Sequence, residues 1–397
     1  MGFRLLLLTL GGFAIGMEGF MIAGLLPALS QDLNVSISTA GQLVTVFSIV
    51  YAVGSPILTM WTGRVERKRL LAGAMLLFAA GNFLCGLANI YAVVFLGRMI
   101  TAAGAGMFSP AAAGAASVLA PPDKRGRSLS MVLGGQTIAL ILGVPLGTWI
   151  AYTLDWRMPF WIVGVLAVLA AIFIHLFFPT IDPSETVSLK NRLSLLKRPL
   201  ILSALVTSLT WGIGIFLVFT YVADIFGQFG AAGQTITILL FFVGIASFAG
   251  VSFGGYAVDR FGSTRTIVLS LFLLLGAVST LSLLRYIHGF ADPLIVGITA
   301  MALWGFSGYA FNPAQQHRLI DLSGSMSGVV LSLHNSFIYL GSALGALFGG
   351  LGLKYGSVNN LGFFSGAAVL LALIVFGISY RISKTETVIN RTEGRIE

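Results

Sequence analysis

Three ionisable side chains stand where none is expected. Glu18 interrupts the apolar run LLLLTLGGFAIGMEGFMIAGLL, Arg98 sits inside VVFLGRMITAAGAGMF, and Asp224 follows the aromatic-rich stretch WGIGIFLVFTY. A carboxylate or guanidinium among apolar residues needs a partner, a water-filled cavity or a change of protonation. Two readings of Glu18 follow: a site that takes a proton from one side and releases it to the other, or a permanently neutral acid bonding two helices. For Arg98 the choice is between a working partner, with Glu18 as the candidate, and a static pair. Asp224 reads as a second titrating group or as a hydrated helix-end residue. Other chemistry is not signalled. The four histidines are scattered with no HExxH, which argues against a metal site. The one cysteine, Cys85, forms neither a disulfide framework nor a cysteine cluster. No GxxxxGK[ST] loop occurs, so ATP is not expected as energy source and no cofactor is expected.

The elements that must hold these groups follow from composition. Of 397 residues, 57% are hydrophobic and only 9% are Asp, Glu, Lys or Arg, against about 25% charged in a soluble domain. So few charges cannot cover a water-exposed surface, which leaves a polytopic membrane protein. Twelve stretches are long enough to cross as helices: 4–29, 39–61, 70–89, 91–118, 128–153, 159–178, 200–223, 234–257, 265–285, 293–315, 326–352 and 361–381. Barrel strands are about ten residues long and alternate; these runs are longer and unbroken, so the expected class is all-α. The first run is too long for a signal-peptide core and carries Glu18, so it reads as an uncleaved span.

The net charge of +9 is explained by topology. With an even number of spans both termini share a side. Nineteen lysines and arginines then fall on that side, including Arg64, Arg67, Lys68 and Arg69, and three, Arg157, Arg285 and Lys354, fall on the other. Positive-inside asymmetry makes the termini cytoplasmic. No basic groove or nucleic-acid motif is visible, and no nucleic-acid partner is expected.

The chain also divides. The longest polar connection, residues 179–199, separates a six-span bundle (1–178) from a second (200–381), with a tail at 382–397. AGQL at Ala40 and AGQT at Ala232 are offset by 192, and Glu66 and Asp259 by 193. A parallel duplication of this kind places two pseudo-symmetric six-helix bundles about a central axis, with a site near the midplane.

These features resemble the major facilitator superfamily over essentially the whole chain. Gly255-Tyr-Ala-Val-Asp259-Arg260-Phe-Gly262 is similar to its GxxxDRxG loop signature, and Gly63, Glu66, Arg67 and Arg69 form a degenerate first copy without the final glycine. Arg98 with Gly104 and Gly106 resembles the conserved-arginine motif of span four. Gly143-x-Pro145-x-Gly147 and the DWRMPFW segment resemble proton-coupled exporters. IGMEGFMIAGLLP and NPAQQHRLI are similar to twelve-span bacterial drug:proton antiporters of the arabinose-efflux-like and purine-efflux-like kind.

The resemblance implies alternating access, with a proton as coupling ion through Glu18, Arg98 and Asp224. It implies gating by Gly63, Glu66, Arg67, Gly255, Asp259, Arg260 and Gly262, on loops of the cytoplasmic face. It places certain helices beside a cavity, and on these Trp211, Tyr221 and Phe311 are candidate substrate contacts, with Gln42, Tyr51, His334 and Asn335 beside them. Packing alone is the commoner use of such aromatic stripes, and buried satisfied bonds the commoner use of His334 and Asn335. Gly143, Pro145 and Gly147, and Gly341 and Gly345, suit close, bendable helix packing between the halves. The expected protein is no enzyme. It is a proton-coupled exporter of a small organic compound in the bacterial cytoplasmic (inner) membrane, working as a monomer surrounded by lipid. An uncoupled facilitator or importer is the alternative, and a membrane-embedded enzyme or sensor the more distant one.

Overall fold

The computed structural model describes residues 2–121, 125–181, 194–284 and 292–393. Twelve helices among them are long and apolar enough to cross a membrane, and no strand is found among the described residues. They are α1 (Gly2–Asp32), α2 (Ile37–Trp61), α3 (Arg67–Gly86), α4 (Tyr91–Leu119), α5 (residues 125–153), α6 (Met158–Phe177), α7 (Pro199–Thr220), α8 (Gln234–Phe261), α9 (Ser263–Leu283), α10 (Pro293–Ser323), α11 (Ser327–Tyr355) and α12 (Leu361–Glu393). Hydropathy located every span, but α8, α10 and α12 run on past the expected ends at 257, 315 and 381. An apolar run marks where a helix leaves the hydrocarbon. Backbone bonding then continues through polar residues such as those at 316–323. Most of the expected connection at 179–199 lies outside the described residues.

The duplication is visible in the packing. In the first half α1 packs on α5 and α6, α2 on α4, and α3 on α4 and α6. In the second half α7 packs on α11 and α12, α8 on α10, and α9 on α10 and α12. Each pair recurs six helices later. The halves meet chiefly through α2 against α11 and α5 against α8, which exchange under the same relation.

Two local features shape the helices near the axis. In α5 a π turn at Ala139–Gly143 joins α-helical Arg125–Ile138 to Val144–Thr153. It lies just before Pro145, which has no N–H to donate. The expected glycines let backbones approach, but within the halves rather than between them. A Cβ on Gly143 would lie 3.1 Å from Met17 Cβ, and one on Gly147 3.1 Å from Met21 Sδ, both on α1. On α11, a Cβ on Gly345 would lie 2.7 Å from the Ile213 carbonyl oxygen of α7. The expectation that these glycines pack between the halves is therefore corrected; the close backbone approach between halves is at Gly244 of α8, where a Cβ would lie 2.6 Å from the Leu140 carbonyl oxygen of α5. Small residues face the neighbour of closest backbone approach, and spacing does not say which neighbour that is.

Gly63 and Glu66 of the first signature copy lie in the turn between α2 and α3, and Arg67 and Arg69 in the first turn of α3. The second does not form a loop. Gly255 to Phe261 are the last turns of α8, and the corner is Gly262 alone, at φ +81°, with α9 starting at Ser263. That left-handed conformation is what its glycine supplies.

Candidate functional site

Glu18 of α1 and Arg98 of α4 are both fully buried, and Arg98 Nη1 donates to Glu18 Oε1. Thr101, one turn along α4 from Arg98, donates to the same oxygen at 3.0 Å. Arg98 Nε donates to the Leu43 carbonyl of α2 at 3.2 Å, and its guanidinium lies 4.3 Å from the Phe47 ring centroid. The charges offset one another, as a low-dielectric interior requires. The pair is nonetheless incomplete: Glu18 Oε2 and Arg98 Nη2 are buried with no hydrogen-bond partner among the described residues.

Beside the pair the halves are clasped. Tyr51 of α2 stacks on Tyr339 of α11 with ring centroids 3.8 Å apart. From there toward the end opposite the termini, hydroxyls of α2 reach α11. Ser48 Oγ donates to Ser342 Oγ at 3.0 Å, Thr45 Oγ1 to the Ala343 carbonyl at 3.4 Å, and Ser38 Oγ to the Gly350 carbonyl at 2.7 Å. Positions 38, 45 and 48 share one helical face. Tyr221 is buried at the end of α7, where its hydroxyl donates to the Ala346 carbonyl at 2.7 Å and its ring lies against Gly41 and Gly349. Phe20 of α1 packs on Phe216 and Phe219 of α7. In the other direction the surface opens: most of residues 53–61 of α2 and 335–338 of α11 are partly or fully exposed. The molecule is closed at the far end and open at the terminal end.

The remaining expected residues fall into separate groups. Gln42 belongs to the closed end, bonded to the Ser38 carbonyl at 3.3 Å. Trp211 and Phe311 stack on each other at 4.9 Å, buried between α7 and α10. His334 is fully buried, with Nδ1 3.0 Å from Ser208 Oγ, and Gln315 donates to that hydroxyl at 3.1 Å and to the Ala204 carbonyl at 2.7 Å. Asn335, its neighbour, is exposed on the open side. Tyr51 alone of the expected aromatic contacts sits at the inner edge of the closure.

Asp224 lies beyond α7 in a short helix, Val222–Gly227, which packs against α1. Its Oδ2 is buried with no hydrogen-bond partner among the described residues. Burial pushes its carboxyl up from 3.8 to about 7, and Tyr152 and Tyr221 lie within reach of its charge. On the same side Arg157 and Trp156 of the DWR segment bind Asp32 at the end of α1, at 2.7 and 3.1 Å, and Arg157 Nε donates to the Ala88 carbonyl after α3 at 2.9 Å. At the opposite end Glu66 pairs with Arg69 at 3.1 Å, and the Arg67 backbone N–H donates to the Ile181 carbonyl. Asp259 and Arg260 are exposed and make no ion pair among the described residues.

Sequence reasoning missed Tyr339, Thr101 and the hydroxyl row. A tyrosine in an apolar helix reads as packing, but the seven- and three-residue spacing of Ser38, Thr45 and Ser48 was an available sign of a polar face.

Residues 8–346 match the family model described as Major Facilitator Superfamily. The chain is 31% identical over 372 residues to an uncharacterised MFS-type transporter, YbcL, of Bacillus subtilis, covering 94% of each chain. It is 29% identical over 378 residues to a chloramphenicol resistance protein of Streptomyces lividans, again covering 94% of each. Among solved structures, a D-xylose–proton symporter superposes with a TM-score of 0.79 over 94% of this chain and 96% of the other, at 18% identity. That likeness concerns the fold.

Proposed function

The chain belongs to the major facilitator superfamily, and we propose that within this family of transporters it is a proton-coupled exporter of a small organic compound. The observation that carries the reading is the Glu18–Arg98 pair. A carboxylate is held at the centre by one cation, with one oxygen unpartnered among the described residues. An ionised Glu18 is matched by Arg98. A protonated Glu18 leaves Arg98 without a counter-charge, which costs free energy in this environment unless the surroundings change. Protonation therefore favours a different arrangement of α1 and α4, which is what coupling requires.

Export is supported by relatives whose names describe removal of compounds: the chloramphenicol resistance protein and a probable sugar efflux transporter of Helicobacter pylori. Sidedness rests on the distribution of lysine and arginine, which supports both termini and the open end facing the cytoplasm from a bacterial inner membrane. In this orientation Asp224 belongs to the outer closure and is a second proton site. Gly63, Glu66, Arg67, Gly255, Asp259, Arg260 and Gly262 belong to the inner gate.

The test is flux in proteoliposomes. A proton gradient, outside acidic, drives the compound uphill through the native protein, while Glu18→Gln carries it only down its own gradient. Uphill transport by Glu18→Gln refutes the coupling role. Equal downhill flux with and without a gradient in the native protein identifies a facilitator instead.

A further inference from the structure

The stacked tyrosines define more than the edge of the closure. Tyr51 and Tyr339 come from different halves, with ring planes 26° apart. Tyr309 of α10 and Glu18 both lie within electrostatic reach of Tyr339. The Tyr51 hydroxyl lies within hydrogen-bonding reach of Ser109 of α4 and of the Tyr339 hydroxyl. Ring faces and hydrogen-bonding hydroxyls therefore meet where the opening toward the terminal end stops. The fixed charges of this layer, Glu18 and Arg98, offset each other.

We propose that the Tyr51–Tyr339 pair is the specificity-determining element of the cargo site, and that the cargo is an uncharged molecule bearing a flat aromatic or heteroaromatic ring with a hydrogen-bonding substituent. The inference rests on the reading of the chain as a carrier with a central cavity. The two rings belong to opposite halves, so the stack parts whenever the far end opens. A flat ring entering from the open side lies against Tyr339, which is partly exposed, and takes the place of the lost partner as the rings separate, so offset ring-on-ring contact is retained. A puckered saturated ring cannot present that face. Ser109 and the tyrosine hydroxyls supply partners for a carbonyl, amide or hydroxyl on the ring. A net charge on the cargo would enter a layer already neutral and would find no counter-charge there.

The test is equilibrium dialysis of purified protein against radiolabelled bicyclic aromatic carboxamides, their decahydro analogues and the corresponding carboxylates. The aromatic amides are expected to bind at least tenfold more tightly than either comparison set. Tyr339→Leu and Tyr51→Leu each remove the preference, while Tyr339→Phe keeps binding within threefold. Equal binding of flat and saturated rings overturns the proposal, as does tighter binding of the carboxylates, a preference intact in Tyr339→Leu, or no binding by any aromatic amide. The comparison of ring types uses the native protein, so a variant that fails to fold does not blunt it. Binding is measured without a gradient. Loss of proton-driven flux with the ring preference retained would remove the coupling and leave this inference standing.

Discussion

Arg98 and Glu18 hold each other in the centre of the first half, and each keeps one buried polar atom without a partner among the described residues. Removing either side strands the other. Glu18→Ala or Arg98→Ala is expected to cost about 3–5 kcal/mol of stability, read as a lowered unfolding temperature in detergent. Glu18→Gln keeps the shape and the Thr101 contact and is expected to be milder in stability, while abolishing proton-driven flux. Arg98→Lys keeps charge but loses the planar fork that reaches both Glu18 and the Leu43 carbonyl. It is expected to fold and to transport poorly.

The far-end closure depends on three hydroxyls of α2. Each bond of this kind contributes about 0.6 kcal/mol within a membrane, so Ser38→Ala, Thr45→Val and Ser48→Ala together are expected to shift the open–closed ratio of that end roughly twentyfold. Distances between spin labels on the far ends of α2 and α11 measure this. An unchanged distribution would show that the bonds do not hold the closure. Gly41→Val acts on the same face by driving a side chain into the Tyr221 ring, and is expected to widen it further.

Asp224 adds a pH dependence with a definite sign. Its carboxyl titrates near 7 in this closed form and near 3.8 when hydrated. Below about 3.8 both forms are protonated and the group favours neither. As pH rises through the interval to about 7, the hydrated form ionises first and the closed form loses ground. Acid on that side is therefore expected to favour far-end closure and alkali to favour opening. Asp224→Asn is expected to flatten the dependence, and a pH response unaltered in that variant would assign it elsewhere. Tyr221, which faces the group, is pushed up by burial and stays neutral over this range.

Asp259 and Arg260 are exposed and make no ion pair among the described residues while the terminal end is open. Asp259→Ala is expected to leave expression and the unfolding temperature of this form unchanged. Turnover is expected to fall, because the alternate form must close over these charges. Unaltered turnover in a correctly folded variant would remove the motif from the cycle.

The sequence carried the span count, the duplication and the anomalous pair for one reason: each is a cost that only one environment repays. Glu18 and Arg98 stand out because apolar neighbours make them expensive. Helix ends were less legible, since backbone bonding in α10 continues to Ser323 long after the apolar signal stops. The packing direction of Gly143 and Gly345 was not legible, because periodicity names a face and not the helix across from it. Tyr339 was hidden for the same reason, its role depending on Tyr51 from the opposite half. Tyr221 and Gln42 sit on the faces expected, but at a depth that places them in the closure rather than the cavity.

In the hydroxyl row that closes the far end, two of three donors on α2, Ser38 and Thr45, end on main-chain oxygens of α11, as does Tyr221. Every residue supplies such an oxygen. The two partners therefore tolerate change unequally: α11 keeps these bonds through most replacements of its side chains, provided its path is undisturbed, whereas α2 loses them with a single missing hydroxyl. Helix α11 is thereby freer to vary the faces it turns toward cargo or lipid, and new selectivity can arise there without loosening the seal.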